Sequence, residues 1–164
     1  MAIVYNKVAI IGMGLIGASI ARATRRAGLA AVISGYDADS DVMADVTELQ
    51  LVDEAAGSPA EVVDDADLVV MAVPVGAVGA VAQSIGQHIK AGAVLTDTGS
   101  TKRSVLRDVS PHLNESIIWL PSHPLAGNEH SGPKAGIADL FDGRYWIVLP
   151  LEAPEPAVRQ YELF

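Results

Sequence analysis

Short apolar runs alternate with amphipathic stretches along this chain, and the alternation predicts strand and helix in turn. Lys7–Ile11 reads as a first strand, followed at once by a glycine-rich turn and a helix over Leu15–Ala27 that Gly28 stops. Val32–Tyr36 is a second strand ending at Asp37, and Ser40–Leu49 a second helix. A short strand near Glu54–Ala56 precedes Ser58 and Pro59, the N-cap and first residue of a helix reaching about Asp65. Leu68–Val73 is a buried strand closed by Pro74. A glycine-spotted helix then covers Val75–Ile89, Gly92 separates it from the strand Ala93–Asp97, and Ser100 or Thr101 caps a helix reaching Leu113. Ile117–Leu120 is a strand, Pro121–Gly136 is irregular, and Arg144–Leu149 is a last strand. Pro150, Pro154 and Pro156 mark a boundary, after which Ala157–Phe164 turns helical.

The order implies a doubly wound α/β domain over residues 1–150, a mainly parallel sheet with helices on both faces. Residues 151–164 read as a linker and the first turn of a further, helical domain, because the chain stops on apolar residues with no cap or polar tail.

Composition narrows the partners. Half of the 164 residues are hydrophobic, enough for a buried core, and the formal charge of −9 opposes a nucleic-acid partner. Arg22, Arg25 and Arg26 cluster, as a solvated helix face does. Without cysteine there is neither disulfide nor thiolate chemistry. The N-terminus has no basic region before its apolar stretch, which Lys7 interrupts, and no apolar run approaches the length of a membrane span. A soluble cytoplasmic protein is expected.

The turn Gly12-Met13-Gly14-Leu15-Ile16-Gly17 matches G-x-G-x-x-G, with a strand before it, a helix opening inside it and Asp37 twenty positions after Gly17. Gly12 permits the tight turn, Gly14 the approach of a pyrophosphate, and Gly17 the packing of helix on strand. The N–H groups of the helix start, at Leu15 and Ile16, face the diphosphate. Asp37 suits the two ribose hydroxyls of NAD and repels the extra phosphate of NADP, and no Arg or Lys between Tyr36 and Glu48 would receive that phosphate. Val73 and Pro74, at the end of the fourth strand, complete the expected cofactor contacts of a Rossmann domain.

Two further polar segments follow strand ends, where ligands of open α/β sheets bind: DTGSTK (Asp97–Lys102) and SHPLAGNEHSG (Ser122–Gly132). With GMGLIGAS (Gly12–Ser19) and ADLVVMAVPV (Ala66–Val75), they make the chain resemble the N-terminal domain of the prephenate/arogenate (cyclohexadienyl) dehydrogenases of tyrosine biosynthesis, over about residues 6–150. The last two motifs are the selective ones.

That resemblance implies an NAD-dependent oxidative decarboxylation of prephenate or arogenate. It makes His123 the histidine that bonds the reacting hydroxyl and Ser100 the serine supporting that contact. Glu129 becomes a carboxylate at the pocket entrance, and Lys102 a neighbour in the substrate pocket. It also implies a second, helical domain with a carboxylate-binding arginine and homodimer contacts, so that residues 1–164 alone would be inactive. A metal site from His123, Glu129 and His130 is not expected, since adjacent Glu and His chelate poorly. Two readings remain open: another Rossmann dehydrogenase or reductase with a helical second domain, and an NAD-sensing module without chemistry.

Overall fold

A computed structural model describes residues 2–164. Six strands form one parallel sheet: β1 (Tyr5–Ile11), β2 (Ala30–Tyr36), β3 (Glu54–Ala55), β4 (Leu68–Met71), β5 (Val94–Asp97) and β6 (Ile118–Leu120), in the order β3-β2-β1-β4-β5-β6. Strand order reverses between β1 and β4, so the crevice outside their carboxyl ends is the topological switch point.

Both faces of the sheet are buried, as its unbroken apolar strands require. Alternation along β1 sends Ala9 and Ile11 to one side and Val8 and Ile10 to the other; β4 divides Val69 and Met71 from Leu68 and Val70 in the same way. On the first side pack α3 (Pro59–Val63), α4 (Val78–Ile85) and α5 (Lys102–Val109). On the other pack α1 (Leu15–Ala27), α2 (Ser40–Glu48) and α6 (Glu155–Glu162). Two of the three arginines of α1 are tethered: Arg25 pairs with Asp53 and Arg26 with Asp142, at 3.0 and 2.6 Å.

Most expected elements stand where the pattern puts them. Gly28 ends α1 at φ +65°, and the Ser58 hydroxyl accepts the Glu61 N–H over Pro59. The glycine-spotted helix is shorter than expected: Val75–Ala77 is a 3-10 turn and α4 ends at Ile85. Gly86 follows because a Cβ there would lie 2.1 Å from the His112 carbonyl oxygen. α5 likewise gives way to a 3-10 turn at Ser110–His112, where Pro111 lacks the N–H that a helix interior needs. Neither Ser100 nor Thr101 caps α5 by a side-chain hydrogen bond.

The expected last strand lies within its expected range, shortened, and outside the main sheet. It covers Trp146–Val148 (β8) and runs antiparallel to Ser122–Pro124 (β7), inside the stretch expected to be irregular. The two form a separate small sheet with His123 opposite Ile147. The segment after Pro150 forms α6, which buries Ala157 and Tyr161 on the core beside β6.

Candidate functional site

The glycine turn has the geometry its spacing implies. Gly12 sits at φ +92°, and a Cβ there would meet the Ala72 carbonyl oxygen at 2.5 Å and Val73 at 2.9 Å. A Cβ on Gly17 would lie 1.9 Å from the Gly12 carbonyl oxygen, so α1 closes against the turn only as glycine. Around Gly14, by contrast, nothing lies within 4 Å of a Cβ position. That open side faces the start of α1, where Leu15 and Ile16 are half-buried and no side chain caps the first N–H groups. Free donors, a helix dipole and an unfilled approach at the switch point fit a diphosphate.

Asp37 closes this region from the end of β2. Its Oδ2 accepts the buried Met13 N–H at 2.7 Å and its Oδ1 the Asp39 N–H at 3.0 Å. The carboxylate therefore holds the turn while keeping lone pairs for a sugar. Val73 is half-buried beside Gly12 and Pro74 exposed past β4, on the same edge.

The second constellation lies at the carboxyl ends of β5 and β6. Asp97, fully buried, ends β5; its Oδ2 accepts the Gly99 N–H at 2.8 Å and its Oδ1 the Ser122 N–H at 3.2 Å. The Lys102 ammonium pairs with Asp97 and donates to the Ser122 carbonyl at 2.6 Å. Burial pulls the Lys102 ammonium below the ordinary lysine range, against the opposite pull of Asp97. Its charge is turned into the protein.

His123 is half-buried on β7, and its Nδ1 lies 2.9 Å from the Thr98 carbonyl oxygen. A carbonyl only accepts, so Nδ1 carries the proton in the neutral ring and Nε2 keeps its lone pair. Pro124 limits His123 to extended backbone, which strand β7 supplies. Ser100 is exposed on the same loop. Glu129 is 84% exposed, with His130 at 3.6 Å. The fold thus unites Lys102 and His123 through Ser122, and leaves Glu129 at the rim.

Several neighbours of this cluster carry no signal in a linear reading. Trp146 donates from Nε1 to the Ser122 hydroxyl at 2.9 Å, and the Tyr161 hydroxyl lies 2.9 Å from Ser122 Oγ and 3.1 Å from Thr96 Oγ1. Burial raises the Tyr161 phenol above its usual range, so it acts as a neutral hydrogen-bonding group. Asp97 had a legible signal, a carboxylate at a strand end just before a lysine, yet its partners required the turn. Among the described residues no three His, Asp or Glu side chains group as metal ligands, and no helix is long and apolar enough to cross a membrane.

Comparison with known proteins agrees with this geometry. The family described as prephenate dehydrogenase, nucleotide-binding domain, matches residues 20–162. A cyclohexadienyl dehydrogenase of Zymomonas mobilis is 42% identical over 154 residues, covering 94% of this chain and 52% of that protein. Prephenate dehydrogenase from Aquifex aeolicus, solved with hydroxyphenyl propionate and NAD+, superposes with a TM-score of 0.84 at 29% identity, over 96% of this chain and 54% of that one. The arogenate dehydrogenase of Synechocystis gives 0.85 at 25% identity, over 96% and 55%. The chain spans about half the length of each of these three relatives. A match over most of its length, on a Rossmann sheet with an open glycine turn, makes this chain a member of the family of prephenate dehydrogenase nucleotide-binding domains.

Proposed function

We propose that this chain is the dinucleotide-binding part of an NAD-dependent dehydrogenase that oxidatively decarboxylates prephenate or arogenate. The observation that carries the reading is His123: its Nδ1–H is committed to Thr98, leaving Nε2 a proton acceptor on the carboxyl edge that also bears the glycine turn.

Bound NAD supplies a hydride acceptor. The chain holds it through the open side of Gly14, the first N–H groups of α1 at Leu15 and Ile16, and Asp37 at the ribose, with Val73 and Pro74 along the approach. The ring carbon bearing the substrate hydroxyl gives up a hydride as the hydroxyl loses its proton to His123 Nε2. The bond to the ring carboxylate breaks, CO2 leaves, and its electron pair completes the aromatic ring. Ser100, exposed and free to turn, supports the hydroxyl contact, and Glu129 stands at the entrance. The same reading makes the protein a cytoplasmic homodimer with a small-molecule substrate.

The test is an assay of the polypeptide at its relatives' length with NAD and each of the two substrates. Release of CO2 matched to NADH formation is the expected result. Its absence with both substrates overturns the reading.

A further inference from the structure

The Asp97–Lys102 pair is not explained by stability. Burying two charges removes hydration from both, and replacing such a pair by apolar residues is often neutral or stabilising. What the pair holds is more informative. Asp97 Oδ2 takes the Gly99 N–H, which belongs to the Thr98–Gly99 peptide. Lys102 takes the Ser122 carbonyl, which belongs to the Ser122–His123 peptide. A planar trans peptide fixes its carbonyl direction once its N–H direction is fixed, and the reverse. The 2.9 Å bond from His123 Nδ1 to the Thr98 carbonyl joins a residue of one clamped peptide to the other. The Ser122 N–H, bound to Asp97 Oδ1 at 3.2 Å, closes the loop.

We propose that the Asp97–Lys102 ion pair is the positioning device for His123: it orients the carbonyl that takes the Nδ1 proton and the peptide that carries the ring, and so fixes the tautomer whose Nε2 is free. Lys102, expected in the substrate pocket, is a positioning residue acting through His123. The pair's catalytic use rests on the reading of His123 as the base, whereas its control of the tautomer does not.

The experiment is long-range 1H–15N correlation of the His123 ring in this chain, without substrate, at a pH where the ring is neutral. The wild type shows a protonated Nδ1 and a lone-pair Nε2. The double variant Asp97→Leu/Lys102→Met removes both charges together, so that neither charge is left unpaired, and no side chain then holds the Gly99 N–H or the Ser122 carbonyl. Its spectrum shifts to a mixture dominated by the Nε2–H form, while NADH affinity stays within a few-fold. At the relatives' length the same variant loses on the order of 10–100-fold in kcat, the usual effect of losing an outer-shell partner, with KM for NAD unchanged. A double variant that keeps the protonated Nδ1 overturns the proposal. Should that variant fail to melt cooperatively, scalar coupling across the hydrogen bond from Lys102 Nζ to the Ser122 carbonyl carbon decides in the wild type: its presence supports the clamp and its absence overturns it. A tautomer that shifts while kcat does not would leave the clamp standing and remove His123 as the base.

Discussion

Asp37 and Met13 are joined by a 2.7 Å hydrogen bond from the Met13 N–H to Oδ2, so the carboxylate proposed to read the ribose also ties down the phosphate turn. Both oxygens already hold one backbone donor, which fixes the carboxylate in place for a sugar hydroxyl. This chain is expected to bind NADH at least tenfold more tightly than NADPH, since a carboxylate beside a phosphate costs on the order of 1–3 kcal/mol. Asp37→Asn keeps an acceptor for Met13 and narrows that preference. Asp37→Ala leaves the buried Met13 N–H unpaired and costs about 1–3 kcal/mol of stability as well. Fluorescence titration with both cofactors and thermal melts separate the effects. Equal wild-type affinities would remove Asp37 from cofactor selection.

Gly14 and Gly17 make a paired test of fold against binding. Gly17→Ala drives a methyl to 1.9 Å from a backbone oxygen, so the turn must open and the melting temperature drops together with dinucleotide binding. Gly14→Ala meets nothing within 4 Å, and its φ of −68° suits any residue. It should melt within a few degrees of wild type while binding NADH at least tenfold more weakly, because the added methyl occupies the approach. Normal binding by Gly14→Ala would show that the diphosphate lies elsewhere.

The sheet and the glycine turn were legible because their signals are local. Unbroken apolar runs of strand length alternate with amphipathic stretches, and Gly12, Gly14 and Gly17 each have a fixed steric task. The β7–β8 pair was not legible: three residues ending in Pro124 give no periodicity, and their partner lies beyond a loop, at Trp146–Val148. The chemistry of DTGSTK could be named from sequence, but the direction of the Lys102 ammonium could not. Its placement depends on Ser122, which a different strand brings alongside. Thr98 offers only a carbonyl, and a main-chain acceptor leaves no mark on residue identity.

Tyr161 tests how firmly α6 is joined to the His123 strand. Thr96 donates to the Leu120 carbonyl at 2.6 Å and Ser122 to the Asp97 carbonyl at 2.8 Å, which uses both of their protons. The Tyr161 proton therefore supplies the bond between α6 and this pair. Tyr161→Phe should cost about 0.5–1.5 kcal/mol, the net worth of one buried hydrogen bond. At this chain length that is a fall of about 2–4 °C in Tm per kcal/mol. An unchanged Tm in scanning calorimetry would show that the contact contributes nothing.

His123→Asn tests the proposed chemistry most directly. An asparagine amide donates to the Thr98 carbonyl much as Nδ1 does, so β7 and its partners stay in place, but no group is left to take a proton. At the relatives' length kcat should fall about 10²–10⁴-fold, the usual worth of a positioned general base. NAD affinity should stay within a few-fold, because the dinucleotide contacts lie at β1, β2 and β4 while His123 lies beyond β6. Survival of most of the activity would place the base on another residue. His130 is then the next to replace: its side chain is 69% exposed beside Glu129, on the same loop.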